Sequence, residues 1–223
     1  MKRMNVILPI QALLVCATFV FSATDVTGQP ALSDLDLREG LLYVKDSDSL
    51  YTGPVTDGGG QGDGHVREGV RSGQWRYRYE DGSPAMSMEY VDGVMRTRTL
   101  WSELGYLSGV YSFDEAGKLS GPAMRWDGNG ILRETRNWEN GLEHGESRLY
   151  DHEGNLLRST HYVNGERDGS EIWWFPDGPP QWKTEYAGGQ RTGRWEQYHP
   201  SGRLLMESTW KEGQLMARTD HRR

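Results

Sequence analysis

Cysteine is almost missing from this sequence: Cys16 is the only one in 223 residues. It lies in the N-terminal apolar stretch, so no residue downstream can form a disulfide or offer a thiolate to a metal. Phenylalanine is also scarce, with 4 residues against 9 Trp and 11 Tyr. The aromatic rings are therefore mostly those with a polar tip, which suit elements wetted on one side. Apolar residues make up only 35% of the chain and the mean hydropathy is −0.75. That excludes a multi-span membrane protein, while so many Trp and Tyr residues exclude simple disorder. An excess of basic charge is lacking too. The net charge is −7, which repels phosphate backbones and excludes nucleic acid as the expected partner.

The start of the chain reads as an export signal. Lys2 and Arg3 precede a stretch from Val6 to Ala23 that is apolar apart from Pro9, Gln11, Thr18 and Ser22, the layout of a signal peptide over residues 1–28. Cleavage after Ala23 or after Val26-Thr27-Gly28 leaves a periplasmic or secreted chain; without cleavage the same segment is a membrane anchor. Leu13-Leu14-Val15-Cys16 is similar to a bacterial lipobox, but Val15 is larger than the residue such a site needs before its cysteine, which argues against lipidation at Cys16. Removing residues 1–28 takes away Lys2, Arg3 and Asp25 and moves the net charge from −7 to −8.

Internal repetition decides the architecture. Glycines fall on a 24-residue grid whose first slot, Gly69, Gly93, Gly117, Gly141, Gly165, Gly189 and Gly213, is filled in every unit. A second slot holds Gly58, Gly82, Gly130, Gly154, Gly178 and Gly202 and fails only at Tyr106. A third holds Gly73, Gly121, Gly145, Gly169 and Gly193. Aromatic residues keep the same phase. Tyr90, Trp138, Tyr162, Tyr186 and Trp210 stand three residues before the first-slot glycine, and Trp126, Tyr150, Trp174 and Tyr198 stand four before the second. The segments between are short and tend to alternate, as Leu204, Met206, Ser208 and Trp210 do, which is strand periodicity.

The connectors are turn chemistry. Asp81-Gly82, Asp92-Gly93, Asn140-Gly141, Asn164-Gly165, Asp177-Gly178 and Gly188-Gly189 tolerate the positive φ of tight hairpin turns. Two turns and two strands per 24 residues make a β-hairpin, and hairpins joined by short turns make an antiparallel meander. The expectation is an all-β, elongated, single-layer antiparallel β-meander of seven 24-residue hairpin repeats over residues 49–216. A lone hairpin is marginal in water, so stability must be shared between neighbouring units. Ahead of the repeats lies a linker and possible capping strand over residues 29–48, with Gly40-Leu41-Leu42-Tyr43-Val44 as the strand. A basic tail, residues 217–223, follows them.

Gly141-Leu142-Glu143-His144-Gly145 with Leu149, Tyr150 and Gly154, Gly165-Glu166-Arg167-Asp168-Gly169 with Trp173, Trp174 and Gly178, and Gly189-Gln190-Arg191-Thr192-Gly193 with Trp195, Tyr198 and Gly202 resemble MORN repeats. The form is closest to the bacterial variant, whose chains are grouped as YwqK-like antitoxin-family proteins. The resemblance covers residues 69–216, and unit 49–72 only in its glycines. Unit 97–120 departs from it at Thr97 and Tyr106, where a bulge or altered turn is expected. The resemblance implies a sheet used for protein–protein or membrane association, without catalytic residues or cofactors. An unidentified protein partner is the first expectation. A second copy paired through the terminal strands, a lipid or glycan of the envelope, and an antitoxin-like pairing with a toxin are the alternatives.

Stacked units would align Trp138, Tyr162, Tyr186 and Trp210 in one ladder and Trp126, Tyr150, Trp174 and Tyr198 in another. The ladders alone explain sheet stability. In a functional reading one ladder floors a groove for a peptide, glycan or acyl chain; Trp75, Trp173, Trp182 and Trp195 stand outside those slots, which stacking does not require, so they are the binding candidates.

Signals for chemistry are absent. The histidines, His65, His144, His152, His161, His199 and His221, lack zinc-site spacing. Glu89 and Glu185 share a slot but lie four units apart, too far to work as a carboxylate pair. No Gly-x-Ser-x-Gly elbow occurs. The glycine-rich run Asp57–Gly64 has neither the aspartate of a calcium nonapeptide nor the Gly-Lys-Ser/Thr of a phosphate loop, and reads as a flexible loop. Asp127-Gly128-Asn129-Gly130 begins like an EF-hand loop but has Trp138 where the twelfth-position glutamate belongs, and reads as a turn.

Overall fold

A backbone that must reverse direction within two residues while keeping the strands' right-handed twist needs positive φ at both of them. Asp92-Gly93, Asn140-Gly141, Asn164-Gly165 and Gly188-Gly189 supply this, as do Glu68-Gly69 and Glu212-Gly213; at Asn164 and Gly165 the φ values are 51° and 84°. A computed structural model describes residues 28–176 and 178–222 of the chain. Residues 1–27 of the segment read as an export signal, Cys16 among them, and Asp177 of the Asp177-Gly178 turn lie outside the described residues.

The strands run in chain order as β1 (Asp36–Arg38), β2 (Leu41–Tyr43), β3 (Gly53–Thr56), β4 (Gly62–Arg67), β5 (Val70–Arg78), β6 (Pro84–Val91), β7 (Val94–Trp101), β8 (Leu107–Ser112) and β9 (Gly121–Trp126), then β10 (Leu132–Glu139), β11 (Leu142–Glu143), β12 (Gly145–Tyr150), β13 (Leu156–Val163), β14 (Glu166–Trp174), β15 (Pro180–Ala187), β16 (Gln190–Tyr198), β17 (Leu204–Lys211) and β18 (Gln214–Asp220). β1 and β2 form a small hairpin of their own. β3 to β18 form one 16-stranded open sheet in sequence order, every pair antiparallel. The elongated meander expected from the glycine grid is the fold.

Two kinds of turn alternate along it. The two-residue turns fall at the first-slot glycines, except at Gly117. From Gly82 onward the second-slot turns are three-residue loops: the Asp127 N–H donates to the Ile131 carbonyl and the Gly130 N–H to the Asp127 carbonyl, whereas at Gly58 the Asp57 N–H donates to the Gly62 carbonyl across a four-residue loop. Asp81-Gly82 belongs to this second kind rather than to the tight turns. Aspartate organises the loops, since the carboxylates of Asp114, Asp127 and Asp151 each accept N–H groups two and four residues on. In unit 97–120 the turn moves up one residue. Gly105, φ 81°, takes the place that Tyr106 cannot fill, and its N–H donates to the Ser102 carbonyl.

The third-slot glycines sit inside strands. Gly73, Gly169 and Gly193 have φ of 63°, 99° and 59°, and the register shifts beside each. These three are β-bulges, which add twist to the ribbon in their units, while Gly121 and Gly145 open β9 and β12.

Among the described residues the buried apolar side chains cluster into a core at the N-terminal end. Val55, Val66, Trp75 and Met88 are buried, with Leu32, Leu35, Leu42, Tyr51, Tyr77, Met86, Tyr90 and Met95 packed around them. The segment read as a linker thus carries structure. A 3-10 turn over Leu32–Asp34 and the β1–β2 hairpin bring leucines onto the sheet face, and the Thr56 N–H donates to the Pro30 carbonyl. The glycine-rich run is not wholly a loop either. Gly62 and Gly64 lie in β4, and a Cβ at Gly64 would fall inside the Trp75 ring. Asp63 beside them accepts from Arg76 Nη2 and Arg78 Nη1, each at 2.6 Å.

Candidate functional site

Strand alternation sends every second side chain to one face. Cross-strand register puts Arg158, Thr160 and Tyr162 of β13 level with Trp173, Glu171 and Arg167 of β14. It then puts Trp173 opposite Trp182 and Glu171 opposite Thr184 on β15. This face is floored by short hydroxyl side chains: Thr160, Thr184 and Ser208 are buried and recur at the grid spacing. Short residues in the floor leave room for the large ones beside them.

Above that floor aromatic and charged groups interlock. The Trp173 indole N–H donates to Glu171 at 2.8 Å, and the Thr160 hydroxyl donates to the other oxygen of that carboxylate at 3.3 Å. Arg167 stands 3.6 Å from the same carboxylate, lies 4.0 Å from the Tyr186 ring centre and donates to the Tyr186 hydroxyl at 2.7 Å. Burial and the nearby Glu171 charge push the Tyr186 hydroxyl above its ordinary value. Further along, Trp195 lies between Tyr186 and Trp210, with ring centres 5.6 and 5.5 Å away, and Arg191 stacks over both indoles. Arginine on an aromatic face is a cation–π contact that also keeps the ring ordered.

Toward the middle of the sheet charge replaces aromatics. Glu134 accepts from Arg136 at 2.5 Å and Arg125 at 3.3 Å, and Glu143 accepts from Arg136 at 2.6 Å. A shallow cleft of 430 Å³ opens there between Tyr111, Ala123, Arg125, Glu134, Arg136 and Trp138. On the opposite face Tyr198 donates to Glu196 at 2.7 Å with Lys183 over its ring. Burial first, then that hydrogen bond, push the Tyr198 hydroxyl up to about 12.

The four indoles singled out in the sequence therefore part company. Trp173 and Trp182 form a directly opposed, half-buried pair. Trp195 is half-buried in the Tyr186–Trp210 cluster. Trp75 corrects the expectation: it is wholly buried, its indole N–H donates to the His65 carbonyl at 3.2 Å, and its ring serves the core rather than a ligand. The ladders also differ from simple stacking, because Tyr186 and Trp210 meet through Trp195 instead of touching each other. The sequence reading missed the arginines. Arg71, Arg167 and Arg191 occupy one grid slot two residues after a first-slot glycine, a spacing that could have flagged them. Among the described residues no group of three or more His, Cys, Asp or Glu is placed to hold a metal ion, and no helix is long and apolar enough to cross a membrane.

No curated protein matches the chain. Two of its segments, residues 143–164 and 191–212, match the MORN repeat variant family, and they begin two grid periods apart. MORN repeats are in general protein- or membrane-interaction repeats, so at these two places at least the chain carries repeats of that type.

Proposed function

We propose that this chain is an exported, non-enzymatic repeat scaffold that binds a protein partner through the face bearing Trp173, Trp182 and Trp195. One observation carries the reading. Three half-buried indoles, two of them under an arginine (Arg158 over Trp173 and Arg191 over Trp195), lie along one sheet face, where a partner would desolvate them. The apolar start of the sequence supports export, and with it a partner in the periplasm or outside the cell. A YwqK-like pairing, with a toxin protein as the partner, is the narrower form of the same proposal.

Pull-down from the envelope fraction with the chain starting at residue 29 tests it. A partner retained by the native face and lost with Trp173→Ala plus Trp182→Ala, at unchanged circular dichroism, is the expected result. Retention undiminished by that double variant removes the Trp173–Trp182 pair from the interface. A glycan is the second reading. The opposed Trp173 and Trp182 rings, with Glu171 hydrogen-bonded to one and Arg158 over it, offer apolar platforms edged by polar groups. Sedimentation with cell-wall glycan and with lipid vesicles separates that reading and the membrane one from a protein partner.

A further inference from the structure

The two ends of the repeat array carry the same side-chain cluster five periods apart, and only one of them is covered. At the N-terminal end Val66, Arg71, Trp75, Met86, Tyr90 and Met95 come together, with Arg71 4.6 Å from the Trp75 ring centre and Trp75 6.2 Å from Tyr90. The residues in the same slots at the C-terminal end are Tyr186, Arg191, Trp195, Met206, Trp210 and Leu215. Their geometry repeats the first cluster: Arg191 is 4.4 Å from the Trp195 ring centre and Trp195 is 5.5 Å from Trp210. The difference is what lies on top. Leu32, Leu35, Leu42 and Tyr51 pack over the first cluster and make it a core, with Trp75 at 0% exposure. Among the described residues no covering segment packs over the second, where Arg167 and Arg191 alone lie on the rings; Tyr186 is 7% exposed at its floor, while Leu215 and Met216 beside it are 51% and 61% exposed.

We infer that the Tyr186–Trp195–Trp210 cluster is a docking site for a leucine-rich, acidic segment of a partner polypeptide, chemically like the segment that covers the other end. This rests on the scaffold reading and adds to it a position and a partner chemistry. The leucine requirement comes from the equivalent cluster, where aliphatic side chains fill the space over the indole. The acidic requirement comes from charge. Arg167 and Arg191 lie over the rings and Arg218 stands on β18; the acids on that face are Glu171, held by Arg167, Thr160 and Trp173, and Asp220, paired with Arg222. The chain's own cover agrees, since residues 29–51 hold Asp34, Asp36, Glu39, Asp46 and Asp48 against Arg38 and Lys45. Its own cover is tethered at Trp75 and is not free to serve both ends, so the second cover comes from another molecule.

A synthetic peptide of residues 29–51 is the probe, because it contains no tryptophan and leaves the protein's fluorescence as the readout. Titrated into the full chain, it should bind saturably. Binding should weaken about tenfold or more with Trp195→Ala and with Arg191→Glu, and more salt should weaken it further. A peptide with Leu32, Leu35 and Leu42 replaced by serine should not bind. Trp195→Phe, which keeps an aromatic ring, should retain most of the affinity and shows that loss in the alanine variant is not loss of fold. Absence of saturable binding up to about 1 mM peptide, or binding unchanged by Trp195→Ala, which would mean exchange at the Trp75 end, overturns the proposal. An envelope partner that still binds the Trp195→Ala chain overturns this site while leaving the scaffold reading standing.

Discussion

Asn164 and Gly165 show how much of this fold is decided one residue at a time. Both take positive φ, and both are bound to do so by a two-residue turn between twisted strands. Asparagine tolerates that region and glycine is indifferent to it, whereas a β-branched side chain is strained there. Gly165→Val should lower stability by about 1–3 kcal/mol, read as a fall in thermal midpoint, with the loss largest in hydrogen exchange of β13 and β14. Tyr198 makes a pH prediction. Its hydroxyl ionises near 10.0 when unfolded and at about 12 in the fold. A raised folded value means stability that is complete below pH 10 and is lost as pH rises toward 12. Chemical denaturation between those limits should show the decline, and Tyr198→Phe should flatten part of it; an unchanged slope would contradict the environment described for this ring. The positive-φ turns were legible in the sequence because glycine is the residue that fits them. The roles of Trp75 and Trp195 were not, although they share a slot, because burial depends on a segment more than twenty residues upstream of Trp75 that carries no repeat signal.

Elements add what residues leave open. Each hairpin offers one polar-floored face and cannot bury large aromatic rings within itself, so rings and arginines pack across strand boundaries, as Arg167, Tyr186, Trp195 and Trp210 do from β14 to β17. The covering segment of residues 28–51 converts one such face into a core. Trp75→Ala removes a wholly buried indole and should cost about 3–5 kcal/mol. Trp195→Ala, in the same slot without a cover, should cost about 1–2 kcal/mol, since a half-exposed ring has less apolar area to lose. Urea unfolding of the two variants checks the ordering, and equal losses would mean that the cover adds nothing. The sequence showed the hairpins through their period of 24, but it lumped two turn classes together. Tight turns and three-residue loops both need glycine, and they differ in the residue that opens the loop, an aspartate that caps it at Asp114, Asp127 and Asp151. It also read Gly62 and Gly64 as loop, because a glycine that makes way for an indole looks no different from one that loosens a chain.

For the whole molecule, a sheet closed on neither side has length as its main property. Fifteen hydrogen-bonded strands in chain order, β11 lying beside this path, span about 70 Å at a spacing near 4.8 Å. Every unit touches its neighbours, so unfolding should spread from the ends, and β18, exposed along its whole length, should open first. Such a ribbon displays two wide faces, a form that suits holding a partner. Its all-β, repeating architecture was legible from glycine spacing alone. Which face gathers Trp173, Trp182 and Trp195 was not, because facing depends on bulge positions and on the covering segment.

Small-angle X-ray scattering of the chain from residue 29 onward tests the central claim most directly. An extended ribbon of these dimensions gives a radius of gyration of about 22 Å, with a longest dimension of about 70 Å or more. A value of about 16 Å, that of a compact domain of the same length, would contradict the account.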